Sequence, residues 1–272
     1  MQERILLVLL CIQPLVYGAS QKKGVAHWAA NFLCDDFTVL DNMTWWYDWR
    51  CSLNYYHDNG ICTSVIDNYE STFIPMVWGF YWNTDYTCHT DVSNAGVLLG
   101  PNEPNHQSQS DLTPAEAAAA WPSFESNSNG LALVAPSAAP CGSGCNGNTT
   151  EWLDEFFALC TDCRVDYIAT HTYWCGVDKT MDFLQMIYDR YGKPIWLTEF
   201  ACRHKKNNPA KVLSYMQEIL PRLESATFIH KYAWYMARIP DDNGYIKTSA
   251  SLFEAGSSTL TALGTFYNNF QP

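Results

Sequence analysis

The chain of 272 residues carries a formal net charge of -12, with 16 Lys+Arg against 28 Asp+Glu. That balance argues against nucleic acid or an anionic membrane as a partner, since both are bound through an excess of cationic side chains. Charged residues make up only 16% of the chain, while 11 Trp, 16 Tyr and 13 Phe are present; some of these aromatics must build a core, and the rest suit stacking on flat apolar ring faces.

The first segment, 1–19, reads as a secretory signal. It has a short polar start with Arg4, an apolar run over 5–12, and small residues at Gly18, Ala19 and Ser20. The run is too short to span a bilayer. Cleavage there leaves a single domain over 20–272, the size of one eight-stranded α/β barrel of roughly 250 residues, and implies a secreted protein of the extracellular space or cell wall. Of 11 Cys, Cys11 falls in the signal, and the even remainder points to disulfides in an oxidising compartment. Cys141-x3-Cys145 and Cys160-x2-Cys163 resemble paired zinc ligands, but secretion favours disulfides, and no metal or cofactor is expected. Asn42-Met-Thr44 and Asn148-Thr-Thr150 are acceptor sequons for N-glycosylation.

In chain order, the first strand is expected over 23–28, ending in His27 and Trp28. An aromatic run over 44–49 is the second and 73–79 the third. The fourth, 95–100, leads into Asn102 and Glu103. The fifth is 131–136, and the sixth, 165–173, is followed by Trp174. The seventh, 194–200, opens after the turn signal Gly192-Lys193-Pro194 and ends at Glu199 and Phe200; the eighth is 228–236. Helical spacing lies between several of these. Thr113 is placed as an N-cap, with Pro114 at the first helical position and Glu116 completing a capping box. The stretches 150–160, 180–191 and 210–220 also fit helices. Strands alternating with helices indicate parallel pairing through crossover helices. At this length a closed TIM-type (β/α)8 barrel fits best, and no glycine-rich phosphate loop favours a flat doubly wound sheet.

Active residues of such barrels gather at the C-terminal ends of the strands. Trp28, Trp49, Trp78, Glu103, His171, Tyr173, Glu199 and Trp234 all fall at or near strand ends. Glu103 and Glu199 close apolar strands, where a carboxylate is costly unless something uses it. The two strands lie three steps apart around a ring of eight, so their carboxylates can flank a substrate. Two such groups are what glycosidic hydrolysis needs, about 5–5.5 Å apart for retention and about 6.5–9.5 Å for inversion. Glu103 is assigned as acid/base with a raised pKa and Glu199 as an ionised nucleophile. Asn102 is placed to hydrogen-bond a sugar 2-hydroxyl. His171 and Tyr173, on one face of the strand next to Glu199, are expected to orient it and to border the substrate. Trp28, Trp49, Trp78, Trp174 and Trp234 are candidate stacking platforms. Neighbouring loops suggest the disulfides Cys175–Cys202 and Cys51–Cys88.

Leu99-Gly-Pro-Asn-Glu-Pro104, His171-Thr-Tyr-Trp174 and Pro194-Ile-Trp-Leu-Thr-Glu-Phe200 together resemble glycoside hydrolase family 128, of the retaining clan A. The likeness runs from Gly24-Val-Ala-His-Trp28 through Trp46-Tyr-Asp-Trp49 and Pro75-Met-Val-Trp78 to Ala233-Trp234, nearly all of the mature chain. It implies a compact barrel with endo-β-1,3-glucanase activity. It also implies Glu103 as acid/base and Glu199 as nucleophile, and a groove of aromatics for a curved β-1,3-glucan. Pro101 stands where an aromatic often precedes the Asn-Glu-Pro motif, and Asp48 where an Asn is common. Both leave subsite preference open. The expected partner is a β-glucan polysaccharide or oligosaccharide, met by a monomer. The alternatives are a glycosidase for another β-glucan linkage, and a non-catalytic glucan-binding protein on the same barrel.

Overall fold

The computed structural model describes residues 20–80, 96–141, 143–204, 206–242 and 244–272. The leader at 1–19 and Cys88 lie outside them. Among the described residues seven short parallel strands are formed: β1 Lys23–Ala26, β2 Trp45–Tyr47, β3 Val97–Leu99, β4 Ala132–Val134, β5 Ile168–Thr172, β6 Ile195–Phe200 and β7 Ile229–Trp234. One run of pairings joins β2-β1-β7-β6-β5 and another joins β3-β4. Single-residue parallel bridges complete the circle. Trp46 pairs with Phe73, Met76 with Leu99, and Val134 with Tyr167 just before β5. The eighth stave is therefore the expected third strand, present as bridges on either side of Pro75. Proline has no N–H to give a ladder, but its carbonyl still accepts from Leu99 N at 2.9 Å. The result is a closed eight-stave barrel, as the sequence pattern indicates.

Helices cover the outside unevenly. Those of the first third are short: α1 Asp36–Val39, α2 Asn54–Asp58 and α3 Thr63–Tyr69. They are followed by α4 Pro114–Ser126, α5 Thr149–Leu159, α6 Val177–Tyr191, α7 Pro209–Ser225 and α8 Ala262–Asn269. The capping box at Thr113 and Glu116 is present, with Pro114 in the first turn. The buried faces of α6 (Met181, Leu184, Ile187) and α7 (Val212, Met216, Ile219, Leu223) follow the three-and-four spacing that seats a helix on a sheet.

β1 enters the barrel through two unusual positions. Gly24 pairs in register with Trp45, and a Cβ on it would lie 2.3 Å from the Trp45 ring, so only glycine lets the indole close over the strand. Lys23 is fully buried, and its ammonium donates to the carbonyls of Tyr267, Asn268 and Phe270 at 2.7–3.1 Å, closing the C-terminal end of α8.

Disulfides join Cys34–Cys62, Cys141–Cys145, Cys160–Cys163 and Cys175–Cys202. The two pairs with zinc-like spacing are thus covalently closed. Cys175 and Cys202 tie the loops after β5 and β6 with a Cα separation of 4.3 Å. The expected Cys51–Cys88 pairing falls outside the described residues. Of the glycosylation candidates, Asn148 is exposed and its Oδ1 caps α5, while Asn42 is half-buried beside Asp41.

Candidate active site

The loops at the C-terminal ends of the staves enclose a groove of about 1820 Å³, with Glu103 and Glu199 both in its lining. Glu199 sits on β6, 4% exposed. A register shift between β5 and β6, with Thr198 as the extra residue on β6, sets His171 opposite Glu199. Glu103 sits in the turn after β3 with φ of 39°, in the left-handed region that non-glycine residues rarely enter. Trp49, at φ 64°, is the other groove residue held this way. Such strain tends to collect where a side chain must be aimed.

The hydrogen bonds of the two carboxylates differ. Glu199 is fully engaged. Tyr173 OH donates to its Oε2, and its Oε1 accepts from Trp49 Nε1 at 2.8 Å and Tyr47 OH at 3.4 Å. Glu103 has one protein partner among the described residues, His171 Nδ1 at 2.7 Å from Oε1, which leaves Oε2 open to the groove. His171 is fully buried; its Nε2 lies 3.1 Å from Thr198 Oγ1 and 3.6 Å from Glu199 Oε1. One atom from each of Glu103, His171 and Glu199 lies within 4.8 Å of the others.

Charges follow from this packing. Burial works against the His171 cation, but the Glu199 and Glu103 carboxylates outweigh it and raise its pKa. Burial alone would raise Glu103, yet the hydrogen bond and charge of His171 hold it below the ordinary carboxylate value. Burial pushes Glu199 up, with the His171 charge opposing and the Glu103 charge adding. These directions are therefore the reverse of the sequence expectation. The cause is His171, expected to serve Glu199 but hydrogen-bonded instead to Glu103. The hydroxyls of Tyr47 and Tyr173 are pushed well up by burial and by Glu199, so they stay donors. Glu103, His171 and Glu199 have the spacing of a metal site, but His171 commits both ring nitrogens to protein partners, whereas a metal needs one as a free lone pair. The arrangement fits proton exchange better.

Trp28, Trp49, Trp78, Asn102, Tyr173 and Trp174 all line the groove. Asn102 is 3% exposed; its Nδ2 donates to Gln109, and its buried Oδ1 has no hydrogen-bond partner among the described residues, an unused acceptor at the groove wall. Trp49 spends its indole N–H on Glu199, a contact that sequence reasoning missed. Two expectations are corrected. Trp234 is fully buried, points away from the mouth, packs against Phe200, Tyr215 and Tyr267, and donates its indole N–H to Ala250 O at 2.8 Å. It is core. Its neighbour Tyr235 faces the groove instead, since successive strand residues point to opposite faces. His171 lies behind the carboxylates and borders no substrate. Tyr235 and Tyr245, not singled out from sequence, complete an edge-to-face row Trp28–Trp49–Tyr235–Tyr173–Tyr245 with ring centroids 5.3–6.4 Å apart.

The family model described as glycosyl hydrolase catalytic core matches residues 24–267. A crystal structure of a glycoside hydrolase family 128 (subgroup II) endo-β-1,3-glucanase from Sorangium cellulosum is 33% identical, covers 91% of this chain and 98% of its own, and superposes with a TM-score of 0.75. The chain belongs to glycoside hydrolase family 128. Within the family, a subgroup I endo-β-1,3-glucanase from Amycolatopsis mediterranei, solved in complex with laminaritriose, is 25% identical over 92% of this chain and 99% of its own, with a TM-score of 0.66. Alkali-sensitive linkage protein 1 of Schizosaccharomyces pombe is 26% identical over 260 residues, 88% of this chain, and the chain spans 44% of that relative's length.

Proposed function

We propose that this family 128 chain cuts β-1,3-glucan within the polymer, with retention of configuration, by double displacement. The observation that carries the reading is the pair of strand-end carboxylates with oxygens within 4.8 Å. Oxygens this close suit direct attack at the anomeric carbon better than the wider gap that holds the water of an inverting enzyme. The substrate class is supported by the relatives, one an endo-β-1,3-glucanase and another solved with laminaritriose.

The hydrogen bonds support a division of roles. Both oxygens of Glu199 are held by donors, which favours the carboxylate and fixes its aim, so Glu199 is the nucleophile. Glu103 has one oxygen open to the groove, which the proton donor needs. In the first step Glu199 attacks the anomeric carbon and forms an ester as the glycosidic C–O bond breaks, and the departing oxygen takes the proton of Glu103 Oε2, so that the released sugar leaves as an alcohol. In the second, the Glu103 carboxylate takes a proton from water, the water oxygen attacks that carbon, and Glu199 leaves. His171 is a positioning residue; its ring, 2.7 Å from Glu103, keeps a proton next to the acid. Asn102 Oδ1 accepts from the sugar, and Trp28, Trp49, Trp78 and Tyr235 shape the floor on one side of the carboxylates. All of these come from one chain, which fits a monomer. The disulfides fit a secreted protein, with 20–272 as the catalytic domain behind a cleaved leader at 1–19.

The test is product release from linear β-1,3-glucan, with β-1,4- and mixed-linkage glucans beside it. Wild type releases short oligosaccharides from the β-1,3 polymer, and Glu199→Gln is slower by on the order of 10⁴-fold. With an activated glycoside and azide, Glu103→Ala yields the β-glycosyl azide and Glu199→Ala the α-glycosyl azide. The opposite anomers would exchange the two roles. Activity on another glucan alone would refute the linkage, and a folded wild type that binds glucan without cutting it would refute hydrolysis.

A further inference from the structure

The two ends of the groove differ in charge. On the side of the loops after β1, β2 and the third stave, the lining is Trp28, Trp49 and Trp78, and the cation there, Arg50, is neutralised by Asp48 at 2.7 Å. On the side of the loops after β5 and β6 and the start of α6, the lining includes Lys179, Arg203 and Lys206. None of these three forms an ion pair among the described residues, although the chain carries a net charge of -12 and most of its other arginines are paired. Two of the three are held in place by rings. Lys179 Nζ lies 4.1 Å from the Trp174 ring centroid and the Arg203 guanidinium 3.9 Å from that of Tyr245. A cation fixed on an aromatic face keeps its charge directed without a carboxylate. Lys179 also covers one face of the Trp174 indole.

We propose that this end of the groove is a subsite for an anionic substituent on the glucan chain, a carboxylate or an ester of sulfate or phosphate. This rests on the glucan reading above and specifies its substrate. Unpaired cations at a substrate groove attract an anion by charge, and the planar fork of Arg203 can bind two oxygens of one acidic group.

The experiment measures binding of neutral, carboxymethylated and sulfated β-1,3-glucans of matched length to the hydrolytically silent Glu199→Gln protein, at low salt and at 0.5 M NaCl. It is repeated with Lys179→Ala, Arg203→Ala and Lys206→Ala combined on that background, with folding checked by circular dichroism. The expected result is about tenfold tighter binding of an acidic glucan over the neutral one at low salt, from exposed cations each contributing little alone. That ratio falls close to one at high salt and in the triple variant. The carboxymethylated and sulfated arms report which anion the site takes. Equal binding of neutral and acidic glucans, a preference that survives the triple variant, or equal binding of sulfated dextran would each overturn the inference. If wild type neither binds nor cuts neutral β-1,3-glucan, the parent reading falls as well; if it cuts neutral glucan and only the preference is missing, the parent reading stands alone.

Discussion

The 2.7 Å hydrogen bond between His171 and Glu103 couples their titration and sets the pH behaviour of the site. His171 is raised by the two carboxylates, so it keeps its proton further into the alkaline range than a free imidazole, and activity declines as pH climbs through that raised value. On the acid side activity declines when Glu199 is protonated. Replacing the ring by a neutral amide, His171→Asn, removes the cation that opposes the effect of burial on Glu199. The Glu199 carboxyl then rises further, and the acidic limb of the kcat/KM profile moves to higher pH; an unmoved limb would show that His171 exerts no charge on the nucleophile. Stability changes with the opposite sign. A histidine that binds its proton more tightly when folded adds stability that is full below about pH 6.5 and is lost as pH rises through the folded value, so wild type and variant converge in Tm at alkaline pH. At this scale the sequence showed both carboxylates by their position after apolar runs. It did not show which of them His171 touches, because that depends on one extra residue, Thr198, in β6 opposite β5. Nor did it separate Trp234 from Tyr235, because residue type favoured the indole while strand alternation turned it into the core.

The elements themselves were foreseen as staves and helices, but the staves are shorter than their apolar runs because only a few residues of each close the ring. The third was expected as a full strand and exists as bridges because Pro75 interrupts its donors. The capping box of α4 was explicit in the sequence, and Thr113→Ala should cost about 1 kcal/mol. The tight approach of α8 to the barrel was hidden, since nothing local marks it. Gly264 lies in α8, and a Cβ added there would stand 2.0 Å from the carbonyl oxygen of Leu252. An exposed helical Gly→Ala change gains up to about 1 kcal/mol; here helix and loop backbone must part. Gly264→Ala should therefore lose about 2 kcal/mol net and lower Tm by roughly 5 °C, a larger fall than Thr113→Ala gives in the same calorimetric comparison. An unchanged or raised Tm would mean that the loop yields freely.

Across the whole molecule the ring is closed where the first and last staves meet, β1 against β7, and one buried ion pair locks the same seam on the mouth side. Asp36, at the start of α1, is fully buried and receives Arg238 Nη2 at 2.5 Å and Nε at 3.1 Å, with Ser258 Oγ at 2.7 Å. Arg238 also donates to the carbonyls of Glu254 and Ser257 at 2.9 Å, so one guanidinium gathers the loop after β7 and the chain leading to α8. No local pattern announces a pair this distant in sequence. Removing one partner of such a pair is expensive because the other charge stays buried. Asp36→Asn should lower stability by about 3–5 kcal/mol, and adding Arg238→Met should recover part of that loss by removing the orphaned cation. The pH dependence supplies an independent sign. Burial tends to raise Asp36, but His27, its Nε2 3.5 Å away, and the hydrogen bonds from Arg238 outweigh it and hold the carboxyl below its ordinary value. Its contribution is thus complete above the unfolded value of about 3.9 and disappears as pH falls through the lower folded value. Between those limits wild type should lose Tm more steeply on acidification than Asp36→Asn does, and parallel slopes would show that Asp36 is not the group whose protonation opens the seam.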